Sequence, residues 1–109
     1  MSDRTYADFI NDIKNSIQLI LDFTSDLSLE DFQQDIKTQY AVIRCLEVIG
    51  EAAKRIPENI RLDNPEIPWK IMAGMRDRLI HGYDVVNETI VWRTVKSDIP
   101  ALKNKMYRI

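Results

Sequence analysis

The chain reads as an all-α protein, an antiparallel bundle of four to five helices. Three observations carry that reading. Apolar residues recur at intervals of three and four along several separate stretches, which places them on one face of a helix. The chain breakers are few, three glycines and four prolines in 109 residues, and most fall between those stretches. No segment alternates apolar and polar residues for long enough to make a convincing strand.

The elements follow in order. From Asp3 to about Phe23 the apolar positions are Tyr6, Phe9, Ile10, Ile13, Ile17, Ile20 and Leu21, a helix with one buried face. Ser2 or Asp3 is expected to cap it, since a side-chain oxygen there accepts the first free amides. The stretch TSDLSLEDFQQD interrupts the pattern, and its Ser28-x-x-Asp31 predicts a cap before a short helical turn. A second long helix is expected from roughly Asp35 to Arg55, burying Val42, Ile43, Leu46, Ile49, Gly50 and Ala53. Gly50 costs about 1 kcal/mol relative to Ala in a helix interior, so close approach of another helix is expected there. PENIRLDNPEIP holds three prolines and is expected to be a loop. Pro68 suits the first position of a third helix, with Trp69, Met72, Met75 and Leu79 on its face and a stop near Gly82. Asn87 caps the last helical region, whose apolar residues are Ile90, Val91, Val95, Ile99, Leu102 and Met106, and Pro100 should kink or split it. Residues 1–109 form one domain on this reading.

Composition narrows the class. Hydrophobic residues make up 45 % and charged residues 29 %, a profile of a compact helical protein rather than a disordered or fibrous one. A single cysteine, Cys45, has no internal disulfide partner, and the first residues lack the basic-then-apolar order of a signal peptide. With no apolar run of membrane-spanning length, a cytoplasmic protein is expected. The net charge of −2 excludes a general polycation. Residues 1–35 carry eight acids and two bases, however, and residues 36–109 thirteen bases and nine acids. A locally basic surface is therefore available to phosphates, although ordinary solvated helix faces would give the same counts.

The stretch with chemistry is Met75 to Asp84, MRDRLIHGYD, which holds the one histidine. Arg76 and His81 are five residues apart. On a continuous helix they would face about 140° apart, so they converge only if the helix loosens near its end, or if two chains each bring both groups. A histidine in or just past the last helical turn meets free carbonyls that favour its cation, which suits a group that takes and gives protons. An arginine offers planar, bidentate donors to phosphate oxygens. Together they are a sensible minimum for RNA cleavage, where a 2′-hydroxyl loses a proton, a 5′-oxygen gains one, and charge on phosphorus is stabilised. That chemistry needs no metal, and no usual metal-ligand set or cofactor motif is legible. The plainer reading is a helix-ending His-Gly, with Arg76, Asp77 and Arg78 as a solvated face and Tyr83 as a packing residue.

Arg76, four residues, His81, one residue and Tyr83 resemble the Arg-x4-His-x-Tyr signature of HepT-like toxins, small helical ribonucleases of the HEPN superfamily. RCLEVIGEAAKRIP, IPWKIMAGMRDRLIHGYD and VVNETIVWRTVKSDIPALKNKM are similar to the family's successive segments, covering the chain from about Tyr6 to Met106. The resemblance implies a HEPN-like bundle that forms a homodimer, with the two Arg–His motifs meeting across the interface. It implies metal-independent RNA cleavage by the toxin of a type VII toxin–antitoxin system. It also implies a partner, an MNT-type nucleotidyltransferase antitoxin that transfers AMP onto the motif tyrosine, here Tyr83. Carried over, Arg76 stabilises the scissile phosphate, His81 is the acid–base, and Asp77 supports the pair. The competing class is a non-catalytic helical module that holds nucleotide and supports a nucleotidyltransferase. A helix-turn-helix DNA binder fits less well, because a long polar loop precedes Trp69 where that motif needs a short turn.

Overall fold

The computed structural model describes residues 4–75, 80–81 and 85–109, the strand residues 80–81 and 85–86 by backbone alone. The first helix, α1 (Tyr6–Thr24), begins one turn later than expected, with Thr5 as its N-cap. The Asp8 carboxylate accepts the Thr5 amide at 2.9 Å, closing the cap from inside the helix. Ser2 and Asp3, the caps expected from sequence, lie outside the described residues. Ile10, Ile13, Ile17 and Ile20 are buried along one face, as their spacing requires.

Helix α2 (Leu29–Gln33) is the short turn that Ser28-x-x-Asp31 predicts. Ser28 Oγ accepts the Asp31 amide and Asp31 Oδ2 accepts the Ser28 amide, both at 3.1 Å. Phe32 drops from it into the core and stacks at 5.2 Å against Trp92. Helix α3 (Ile36–Lys54) matches the expected second helix, with Asp35 and Arg55 as its caps. Gln39, buried on its first turns, donates its amide to the carbonyls of Phe32 and Gln33, which are the free acceptors at the end of α2.

The proline-rich stretch is not wholly loop. Helix α4 (Glu58–Asp63) lies within it, capped by Pro57 and ended at Asn64. Proline is excluded from helix interiors but tolerated at their starts, and the six residues between Pro57 and Asn64 contain none. Helix α5 (Trp69–Ala73) follows with Pro68 as its N-cap, one position from the expected first helical residue. Two-residue strands β1 (Ile80–His81) and β2 (Val85–Val86) pair antiparallel, Ile80 opposite Val86 and His81 opposite Val85. Asn87 then caps α6 (Glu88–Arg93).

The last region neither breaks nor stays regular. A π turn at Thr94–Asp98 joins α6 to α7 (Ile99–Met106), and the Ile99 amide donates to the Thr94 carbonyl five residues back. Pro100 explains it. Its ring would collide with the carbonyl of Lys96 in a regular turn and it has no amide to donate, so a wider turn absorbs the fault.

The buried apolar residues form a single cluster. α1 packs on α3 and on α7, and α3 packs on α5. Arg55, at the end of α3, has its guanidinium 5.9 Å from the ring of Phe9, at the start of α1, so those two helices run antiparallel. The fold class is thus the expected helical bundle, with one small strand pair added.

The expected compensation at Gly50 is present. A Cβ built there would lie 3.3 Å from the carbonyl oxygens of both Met72 and Ala73. The absent side chain lets the backbone of α5 touch α3. Gly50→Val should therefore lower stability by about 2 kcal/mol in urea denaturation, in the range for overpacking. An unchanged or raised midpoint would show that the contact is not tight.

Asp35 supplies a pH-dependent prediction. The Thr38 hydroxyl, then the Thr38 amide, hold its carboxyl below the ordinary carboxylate value. A lowered folded pKa adds stability above the unfolded pKa, and that stability is lost as pH falls through the folded value. Asp35→Asn should be less stable than the parent at pH 7, and the gap should close as pH falls below the ordinary carboxylate range. A gap that persists unchanged at low pH would assign the effect to packing.

Candidate functional site

The segment that begins at Arg76 is fixed first at its near end. Trp69, Met72 and Met75 recur every third residue and are 7 %, 0 % and 2 % exposed, so one face of this turn is sunk in the core. The Trp69 indole Nε1 donates to the Asn64 carbonyl at 3.1 Å, satisfying the one polar atom that this burial would strand. The Gly74 amide returns to the carbonyls of Lys70 and Met72. Met75 is therefore a core anchor, and Arg76 is the next residue in the chain.

The far end is held by Asn87. Its side-chain oxygen accepts the amides of Thr89 and Ile90, each at 3.1 Å, and Val91 on the same helix is fully buried. Between the anchors lies the antiparallel pair of β1 and β2.

Arg76, Asp77 and Tyr83 lie outside the described residues. His81 is described by its backbone, and there the expectation needs correction. The helix expected to stop near Gly82 has given way before it, because Ile80 and His81 are already extended and paired with Val86 and Val85. Of the two expected places, in or just past the last helical turn, His81 is therefore past the helix end, in a strand. Ile80, Val85 and Val86 are β-branched and favour extended backbone. The signal was in the sequence: β-branched residues on both sides of a three-residue span containing glycine make a hairpin pattern.

Beside Met75 is a cleft of about 270 Å³. Pro68, Ile71, Met72 and Met75 form one wall, and Asp98, Ala101, Leu102 and Lys105 the other. Its floor is apolar and its rim carries one acid and one base. The π turn places Asp98 on this wall, a position that sequence reasoning did not single out.

Cys45 is not a competing nucleophile. It is 7 % exposed, and burial pushes its thiol up, against a smaller opposing pull from Arg44. A protonated, enclosed thiol is a poor nucleophile. Among the described residues no group of three or more His, Cys, Asp or Glu side chains could hold a metal ion. Nor is any helix among them long and apolar enough to cross a membrane.

Comparison with known proteins places this arrangement. A family model described as ribonuclease HepT-like matches residues 13–109. A "Probable ribonuclease HepT" of Thermococcus cleftensis is 51 % identical over 106 residues, covering 97 % of this chain and 96 % of the relative. An RNase candidate of Methanocaldococcus jannaschii is 47 % identical over 109 residues, covering all of this chain and 94 % of its own length. Another RNase candidate, from Caldanaerobacter subterraneus, is 37 % identical over 106 residues, covering 97 % of this chain and 95 % of its own. No solved structure matches the chain significantly.

Because Asn87 ties the strand pair to α6, Asn87→Ala should cost about 1 kcal/mol of stability, the usual value of a lost N-cap. It should also speed amide exchange at His81 and Val85. Unaltered exchange at those two amides would mean that the pair is held by something other than the cap.

Proposed function

The chain belongs to the HepT-like ribonuclease family, and we propose from that membership that it is the toxin of a type VII HEPN/MNT toxin–antitoxin system. As a ribonuclease of this family it acts on RNA. The single observation that carries the finer reading is Arg76-x4-His81-x-Tyr83, with one end of its segment fixed by Met75 in the core and the other by the Asn87 cap. A catalytic segment anchored at both ends can hold its groups in register.

The proposed reaction uses the RNA's own 2′-oxygen. The 2′-hydroxyl gives its proton to a histidine and its oxygen attacks the adjacent phosphorus. The bond to the 5′-oxygen breaks, and that oxygen leaves with a proton from a second acid. The products are a 2′,3′-cyclic phosphate and a 5′-hydroxyl. Arg76 stays charged throughout and stabilises the phosphorane-like oxygens. His81 is the base or the acid. Each chain has one histidine, so a homodimer with both motifs at one cleft supplies the pair. Asp77 orients the arginine. No metal takes part.

Control is proposed to act at Tyr83. A phenol with a pKa of about 10 is a weak nucleophile at neutral pH, so the MNT-type nucleotidyltransferase antitoxin must activate it. The Tyr83 oxygen attacks the α-phosphorus of ATP, pyrophosphate leaves, and the phenolic proton passes to a base of the partner. The resulting AMP brings bulk and negative charge two residues from His81, where RNA phosphate must bind. A cytoplasmic site of action goes with this reading, since RNA and ATP are both there.

Purified protein should cut RNA in the presence of EDTA. Arg76→Ala and His81→Ala should each lose cleavage by at least a hundredfold and lose toxicity on expression, with an unchanged circular dichroism spectrum. Intact RNA with the parent protein would point instead to a nucleotide-holding accessory module. Tyr83→Phe should stay folded, gain no AMP mass when co-expressed with the nucleotidyltransferase, and escape silencing. A Phe variant silenced as fully as the parent would leave binding alone as the means of control.

A further inference from the structure

A second cavity lies on the opposite flank of α7 from the cleft beside Met75. Lys14, Ile17 and Gln18 of α1 face Lys103, Met106 and Tyr107 across about 220 Å³. Among the described residues no Asp or Glu side chain lines it. Asp22, one turn further along α1, accepts the Gln18 amide at 2.9 Å. The floor is apolar, from the buried Ile17 and Met106, and the walls carry two ammonium groups. Tyr107 is 78 % exposed, so its ring is open to a partner.

The two lysines are not equally free. Lys14 Nζ donates to a main-chain oxygen of Ile109, the last residue, at 2.9 Å, which fixes the ammonium in place while leaving two of its three donors, and a phosphate shares that cation with the chain end. A fixed cation loses less entropy on meeting a ligand. Lys103 approaches from the other wall, half-buried along its stem.

We propose that this groove is an exosite for the substrate RNA, taking a backbone phosphate between Lys14 and Lys103 and stacking an unpaired base on Tyr107. The proposal rests on the ribonuclease reading above and adds to it where the strand is held outside the motif. Its argument is electrostatic first. A chain of net charge −2 has no overall attraction for a polyanion, so its hold on RNA must come from local cations. An exposed aromatic ring beside two cations over an apolar floor is what single-stranded nucleic acid uses, a phosphate on the charge and a base on the ring. The connection to the motif is short. Leu102 and Lys105 line the cleft beside Met75 and Lys103 and Met106 line the groove, so only α7 separates them. A strand crossing that helix spans roughly 10–12 Å.

The test is binding of a fluorescent, unstructured RNA of about twelve nucleotides across a series of salt concentrations. Lys14→Gln with Lys103→Gln should weaken binding about tenfold and reduce the slope of log affinity against log salt by about 0.7, the value for the one phosphate the two lysines share. Lys103→Gln alone leaves the Lys14–Ile109 contact intact and should lose about half of that slope. Tyr107→Ala should weaken binding about fivefold with the slope unchanged, because stacking carries no counterion release. In cleavage, the double variant should raise KM for a long RNA and leave kcat alone.

An unchanged slope in both lysine variants overturns the exosite. So does a Lys103→Arg variant as weak as Lys103→Gln, since charge would then not be what matters. If the parent binds RNA with this slope dependence but never cuts it, the ribonuclease reading fails and the groove stands. Cleavage with salt-independent binding gives the reverse.

Discussion

A missing side chain sets the architecture. At Gly50 the backbone of α5 comes within 3.3 Å of where a Cβ would be, and it does so with two carbonyl oxygens, of Met72 and Ala73. Backbone atoms cannot rotate away as a side chain can, so the contact fixes both the distance and the level at which α5 meets α3. α5 has five residues, too few to persist as an isolated helix. Its conformation is a consequence of packing, and Trp69, Met72 and Met75 supply that packing. The position of Met75, the residue before Arg76, therefore depends on a glycine twenty-five residues earlier in the sequence.

The opposite side of the cleft depends on a proline. Pro100 would break a regular helix, yet the chain from Asn87 to Met106 remains helical because the Thr94–Asp98 turn widens to accept it. The widening places Asp98 on the wall that faces Met72 and Met75. The same region continues into the lysines of α7. The helix that closes the core by burying Ile99, Leu102 and Met106 also carries Lys103 on one flank and Lys105 on the other. Packing and charge are divided between faces of one helix, which is possible because its apolar stripe is narrow.

The elements that the sequence determined are those whose causes are local. Ser28 with Asp31, Asp35 with Thr38, and Asn87 with Thr89 and Ile90 are contacts within three residues, and Ser28 and Asn87 cap helices where the sequence places them. The apolar faces of α1, α3 and the final helical region were legible for the same reason, since a period of three to four is a property of the segment itself. The spacing of Arg76, His81 and Tyr83 is likewise a property of the sequence alone. Tertiary structure decided the rest. That helices meet at Gly50 could be anticipated, but which backbone atoms fill the space could not. Helix α4 forms between prolines that mark a loop in a linear reading. Hydrophobic period and capping are written into neighbouring residues, whereas the approach of two backbones depends on where the intervening chain has already been packed.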